Sequence, residues 1–217
     1  MGFVRVNKIY KKFLLWLMQT KFYWWMTMRV IPHIRFSMYY TDLRGWKYHR
    51  CRKLAMPGDI VVCIDYKKLT RFLVPGEFTH AAFIIAKDEE WEVSEMTHLD
   101  YTKSHMVDLF RENDRIVILR CKDWDEAYTK KVIENCRSFQ HAKYDTDFRL
   151  GVKALYCSEL VYLSDFERRL QVSLEDIGNI GREYISPTGL YKAKNVDVIW
   201  DSATEACTDT CTEEDRK

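Results

Sequence analysis

Residues 156–160 read Tyr156-Cys157-Ser158-Glu159-Leu160, and the apolar run continues through Val161, Tyr162 and Leu163. This pattern predicts a buried helix that opens at Cys157. First-turn amides of a helix carry partial positive charge. A thiol placed there gives up its proton more readily and becomes a nucleophile near neutral pH. The partner such a thiol needs stands upstream: His80, in Phe78-Thr79-His80-Ala81-Ala82-Phe83-Ile84-Ile85. A histidine opening an apolar strand pays for its desolvation unless it has a partner. Glu95 lies fifteen residues further on. If both strands form one hairpin, the two side chains share a face, and the carboxylate can hold the imidazole and fix its tautomer. The imidazole then takes the thiol proton and returns it to a leaving group, and the Cys157 N–H offers an oxyanion donor. The set reads as a Cys–His hydrolase in which the histidine comes first in the chain.

Each residue has a plainer reading. Free cysteine is often a small buried hydrophobe, a strand-opening histidine an edge residue, and Glu95 a solvated strand position. Glu159 fits as an acid supporting the first helical turn. His98 and His105 lie near Glu95, but their spacing suits neither one helical face nor a close strand pair, so no metal is expected.

The elements that must position these groups are legible in outline. Pro57-Gly58-Asp59 is a turn signal. After it, residues 60–64, 79–86, 91–96 and 115–121 read as strands by their β-branched runs or alternation. In the third, Trp91, Val93 and Glu95 share one face by the period of two. Trp124, Tyr128, Val132, Cys136 and Phe139 fall at helical spacing, which predicts a helix over 124–140 with Asp123 as N-cap. Residues 141–155 read as a loop, the cysteine helix spans 157–169, and a short strand at 196–200 closes the unit. Strands first and helices afterwards predict an α+β fold, a mostly antiparallel sheet packed on the cysteine helix. The expected organisation is an N-terminal extension, 1–53, a catalytic domain, 54–200, and a disordered acidic tail, 201–217.

The chain has 217 residues and is 47% hydrophobic, enough for one packed domain with extensions. Its seven cysteines include no close CxxC pair, which excludes the common zinc patterns. Their odd number and scatter fit reduced thiols. The net charge of +2 conceals a split: residues 1–53 hold twelve of the 34 basic residues and one of the 32 acidic ones, so that segment is +11 and the rest −9. Such asymmetry predicts that the basic end meets an anionic surface.

Residues 9–31 are apolar and aromatic but interrupted by Lys21, with Lys11, Lys12 and Arg29 around them. The uninterrupted apolar run, Phe13 to Met18, is short for a membrane span, which stays open as a third reading beside the two that follow. Trp24 and Trp25 stand where a signal peptide needs small residues. Aromatics mixed with Lys and Arg fit a helix, ended by Pro32, that lies in a membrane interface. The alternative is a helix packed on the domain through Leu14, Leu15 and Met18. No nucleic-acid motif accompanies the basic residues. The expectation is an anionic membrane surface met through residues 1–40, no nucleic acid, and a cytoplasmic protein, peripheral at the inner face of the membrane.

Gly58-Asp59-Ile60, Thr79-His80-Ala81, Glu95 and Tyr156-Cys157-Ser158-Glu159-Leu160-Val161 together resemble the permuted NlpC-like, YiiX-type branch of the papain-like cysteine hydrolases, over about residues 55–200. In that branch the histidine precedes the cysteine, as here. The resemblance implies Cys157 as nucleophile, His80 as base, Glu95 as the polar third member, and no cofactor. Tyr144-Asp145 resembles a Tyr-Asp pair common in these proteins, and Tyr144 and Tyr156 are expected to line the substrate groove. Ala81-Ala82 departs from the Val-Gly that often follows the family histidine. The implied activity is thiol hydrolysis of an amide or ester in a cell-wall peptide or lipid-linked substrate. A lipid acyltransferase, and an inactive membrane-docked module of the same fold, remain the alternatives.

Overall fold

The computed structural model describes residues 16–17, 20–30, 43, 45–68, 74, 76–87, 91–145, 150–151, 154–176 and 183–204. Its centre is a six-stranded sheet, ordered β10-β5-β1-β2-β3-β4, in which every neighbouring pair is antiparallel. The strands are β1 (Ile60–Ile64), β2 (His80–Ala86), β3 (Glu92–Thr97), β4 (Asp100–His105), β5 (Arg115–Cys121) and β10 (Val196–Asp201). The predicted α+β class, with an antiparallel sheet on a cysteine-bearing helix, is what the chain adopts.

The sheet is covered on both faces, which is why β1 is apolar at every position and buried throughout. On one face Ile60, Val62, Phe83, Val117 and Leu119 pack against the helices Glu126–Ser138, Cys157–Ser164 and Pro187–Tyr191. The alternate residues Val61, Cys63, Ile84, Ile116 and Ile118 pack against the helices Gly45–Leu54 and Met106–Glu112. Gly58 launches β1 with φ 97°, and a Cβ there would meet Thr129 Cγ2 at 2.2 Å. Only glycine fits both the left-handed backbone and the close approach.

Several boundaries differ from the sequence reading. The helix Gly45–Leu54 lies inside the segment assigned to the extension, yet Cys51 is fully buried and Lys47 Nζ donates to the Ser202 carbonyl at 2.8 Å. The second face of the sheet needs a cover, and this basic helix supplies it. The predicted tail begins too early. Asp201 belongs to β10 and is buried, and its carboxylate takes the Arg115 guanidinium, with Nη2 at 2.7 Å from Oδ2; the tail beyond residue 204 lies outside the described residues. The cysteine helix stops at Ser164 rather than 169. There the Asp165 carboxylate accepts the Leu170 N–H at 2.5 Å and the Tyr128 hydroxyl, and Arg168 takes a positive φ of 57°. Asp125, not Asp123, caps the next helix upstream by accepting the Tyr128 N–H at 2.8 Å. The loop over 141–155 contains two short strands, β6 (Lys143–Tyr144) and β7 (Ala154–Leu155), which pair in parallel, and two more, β8 (Glu175–Asp176) and β9 (Glu183–Tyr184), pair antiparallel before β10.

At the N-terminus a short helix, Lys21–Trp25, runs into a π-helical turn, Met26–Val30. Leu14, Leu15 and Pro32 lie outside the described residues. No described helix is long and apolar enough to cross a membrane.

Candidate active site

β2 and β3 bring the first two candidates together. Ala82 stands opposite Glu95, so His80, two residues earlier, is the diagonal neighbour of Glu95 on the same face. The His80 Nε2 to Glu95 Oε2 distance is 2.6 Å. The ladder continues one strand further. Glu95 faces Thr102 across β3 and β4, and Ser104, two residues on, donates its hydroxyl to Glu95 Oε1. His80, Glu95 and Ser104 thus form a diagonal line across three strands, with both carboxylate oxygens used. Burial pushes the Glu95 carboxyl up, but the hydrogen bond and charge of His80 and the Ser104 hydroxyl outweigh it and hold it below its usual range.

Cys157 reaches the same imidazole from the other layer. It is the first residue of the helix Cys157–Ser164, and 7% of it is exposed. Nε2 is taken by Glu95, and the Cys157 thiol lies within reach of the same imidazole and of the Ala81 and Ser158 backbone, all of which favour its ionised form. Burial opposes ionisation of the thiol. The imidazole's hydrogen bond and charge, with the two amides, win, and the thiol is lowered. Burial likewise opposes charge on His80, but hydrogen bonds and charges from Cys157 and Glu95 raise it to about 10. The other displaced thiols move the opposite way: burial pushes Cys121 and Cys136 up to about 11 and Cys63 well above its usual value. A thiol stays neutral where burial outweighs its polar neighbours and ionises where an imidazolium and amides outweigh burial.

The residues beside the nucleophile hold it in place. The Tyr156 hydroxyl accepts the Ile185 N–H at 2.9 Å, and the Ser158 hydroxyl donates to the Ile185 carbonyl at 2.6 Å. Both neighbours of Cys157 therefore grip one residue of the 183–187 segment. Tyr156 is 1% exposed. In this structure it serves as an anchor, because its hydroxyl satisfies a buried amide. Tyr156→Phe should lower stability by about 1–2 kcal/mol, the cost of stranding that N–H, and leave KM unchanged. Urea unfolding beside steady-state kinetics separates the two roles; a raised KM at unchanged stability would restore the groove assignment.

Glu159 is buried completely and ties the helix start to the preceding loop. Its carboxylate accepts the Gly151 N–H at 2.7 Å and the Tyr156 N–H at 3.4 Å. Burial raises its carboxyl to about 7 against these donors. Tyr144, half-buried on β6, lies within electrostatic reach of the Cys157 sulfur; burial and that charge push its hydroxyl upward. Asp100 fixes it there by accepting the Tyr144 N–H at 3.0 Å.

Sequence reasoning missed Ser104, the Ala81 amide and the Ile185 clamp. Ser104 had a signal: it alternates with Thr102 on a possible strand beside Glu95. The other two are backbone groups and carry none. Among the described residues no three His, Cys, Asp or Glu side chains converge as a metal site.

The comparisons with known proteins agree with this fold. One solved structure, titled as the metalloprotein yiiX from Escherichia coli O157:H7, superposes with a TM-score of 0.60 over 68% of this chain and 97% of that one, at 12% identity. That likeness concerns the fold. No curated protein sequence matches the chain. The sequence profile of the permuted papain-like amidase enzymes, YaeF/YiiX, matches residues 55–210. The His-before-Cys order, the antiparallel sheet and that match over most of the chain make this protein a member of the permuted papain-like amidase family.

Proposed function

We propose that this member of a cysteine amidase family cleaves an amide or ester bond through an acyl-enzyme, with Cys157 as nucleophile, His80 as acid and base, and Glu95 as the group that orients the imidazole. The observation that carries the reading is the shared imidazole: the ring held at 2.6 Å by Glu95 is also the one that lowers the proton affinity of the Cys157 thiol.

The steps follow from those positions. The Cys157 thiolate attacks the substrate carbonyl carbon, an S–C bond forms, and the oxygen takes the negative charge. The Cys157 N–H, free of intrahelical bonding at the first turn, is placed to receive it. The carbonyl re-forms as the C–N or C–O bond breaks, and the His80 imidazolium gives its proton to the departing group. Water then yields a proton to His80, its oxygen bonds to the acyl carbon, and the S–C bond breaks to restore the thiolate and imidazolium. Glu95 keeps the ring in line throughout. A cell-wall peptide and a lipid-linked acyl group both satisfy this chemistry, and an acceptor other than water would make the same intermediate an acyltransferase. Tyr144 is the proposed groove residue, being the half-buried side chain beside the sulfur.

The test is to trap the intermediate. Intact-mass spectrometry after mixing with an activated acyl ester should find one acyl group per chain, located on Cys157. Turnover without that adduct, or an adduct on another residue, overturns the assignment.

Ser104 extends the same reading. Its hydrogen bond to Glu95 leaves the carboxylate one position in which it meets His80. Ser104→Ala should lower kcat/KM by about tenfold, the worth of one charge-assisted hydrogen bond, and Ser104→Thr should recover most of it. The variant should also shift the alkaline limb of the pH profile downward, since a looser carboxylate supports the imidazolium less. An unchanged profile would sink the positioning role.

A further inference from the structure

The N-terminal helix presents two different sides. Tyr23 is half-buried and lies within electrostatic reach of Tyr144, which in turn lies within reach of the Cys157 sulfur. Phe22 and Trp25 face outward, 63% and 50% exposed, with ring centroids 6.3 Å apart. Trp16, just before the helix, is 60% exposed. Exposed aromatic side chains of this size are costly in water when they gather in one place. Lys21 and Arg29 are exposed beside them, in a segment whose sequence carries +11. Thr20 starts this helix deliberately, its hydroxyl accepting the Tyr23 N–H at 3.1 Å.

Water-exposed aromatic rings rimmed by cations match the boundary of an anionic bilayer, where rings lie at headgroup depth and Lys and Arg meet lipid phosphates. A nucleic acid would also take the charge, but stacking on bases calls for a groove that tracks a strand. Five residues of helix are too short for that track. We infer that the face carrying Phe22 and Trp25 docks on an anionic lipid bilayer and thereby sets the mouth of the Cys157–His80 site against the membrane surface, so that the acyl substrate is an amphiphile taken from the bilayer. The substrate half of this inference rests on the cysteine hydrolase reading; the docking half does not.

The full chain is incubated with vesicles of phosphatidylcholine alone, and of phosphatidylcholine mixed with phosphatidylglycerol, and then sedimented. Wild type should bind the mixed vesicles more tightly, and binding should weaken as salt rises. The double variant Phe22→Ala/Trp25→Ala should lose about a hundredfold in affinity, roughly tenfold per ring withdrawn from the interface. Two activity arms accompany it. Hydrolysis of a water-soluble acetyl ester should be the same in wild type and double variant, because neither ring belongs to the catalytic set. Hydrolysis of a long-chain acyl ester embedded in the vesicles should fall in step with binding. Equal vesicle binding by the two proteins overturns the docking. Tighter binding to single-stranded oligonucleotide than to mixed vesicles overturns the choice of partner. Lost binding with unchanged hydrolysis of the embedded ester overturns the substrate class. Failure of both proteins on the soluble ester, with vesicle binding as expected, strikes the hydrolase reading and its substrate half while leaving the docking standing.

Discussion

Exchanging Cys157 for serine should reduce turnover by about four to six orders of magnitude, the range seen when a covalent nucleophile is removed, while the melting temperature stays within a few degrees. The fold has little reason to object. The side chain is small, sits at a helix start where serine is accepted, and keeps the Ala81 and Ser158 amides as donors to its oxygen. The chemistry has every reason. The present arrangement lowers a thiol into thiolate by lending it an imidazolium, and the same loan leaves an alcohol, with its far higher proton affinity, un-ionised. A second readout follows from reciprocity. Part of what raises His80 to about 10 is the hydrogen bond and charge of Cys157. In the serine variant the Glu95 contact survives and the thiolate is gone, so His80 should titrate at lower pH, as followed by its ring proton resonances. Retained turnover would put the nucleophile elsewhere. A fallen turnover with an unmoved His80 would deny that sulfur and imidazole share a proton.

How much of this was readable beforehand depends on which forces each part uses. β1, β2 and β5 were clear because a strand covered on both faces must be apolar at nearly every position, and Ile60-Val61-Val62-Cys63-Ile64 has no other economical use. β4 was opaque for the opposite reason. As an edge strand it reads Asp-Tyr-Thr-Lys-Ser-His, with Lys103 and His105 exposed, and edge strands carry charge rather than pattern. The helix Gly45–Leu54 escaped because its buried residues are only Lys47 and Cys51, and His49, Arg50, Arg52 and Lys53 interrupt any apolar stripe. The site divides in the same way. Cys157, His80 and Glu95 declared themselves through residue type and spacing. Ser104 needed the β3–β4 register, since a shift of one residue would turn its hydroxyl to the other face. The anchoring bond of Tyr156 was not legible because its partner, the Ile185 amide, lies 29 residues away and a backbone group has no sequence signature.

Replacing His80 with alanine should slow alkylation of Cys157 at pH 7 by about thirtyfold or more, because a thiol in its ordinary range is only about three per cent ionised there. The sign follows from the two directions of displacement. Burial pushes the Cys157 thiol up, and the His80 hydrogen bond and charge are the largest forces pulling it down. With His80 gone, the Ala81 and Ser158 amides oppose burial alone, and the thiol rises toward the neutral company of Cys121 and Cys136. The wild-type pair has the complementary behaviour. His80 is raised from 6.5 to about 10, so its contribution to stability is full below pH 6.5 and is lost as pH climbs through about 10. Cys157 is lowered, so its contribution is present above the ordinary thiol range and disappears as pH falls through its folded value. Between those limits turnover should be flat, and it should fall on the alkaline side near pH 10 where His80 loses the proton it gives to the leaving group, whereas alkylation, which needs only the thiolate, should not fall there. Iodoacetamide kinetics followed by peptide mass mapping, over the full pH range, measure both proteins in one experiment. If the alanine variant alkylates as fast as wild type at pH 7, the helix start alone ionises the thiol, and His80 has no part in activating it.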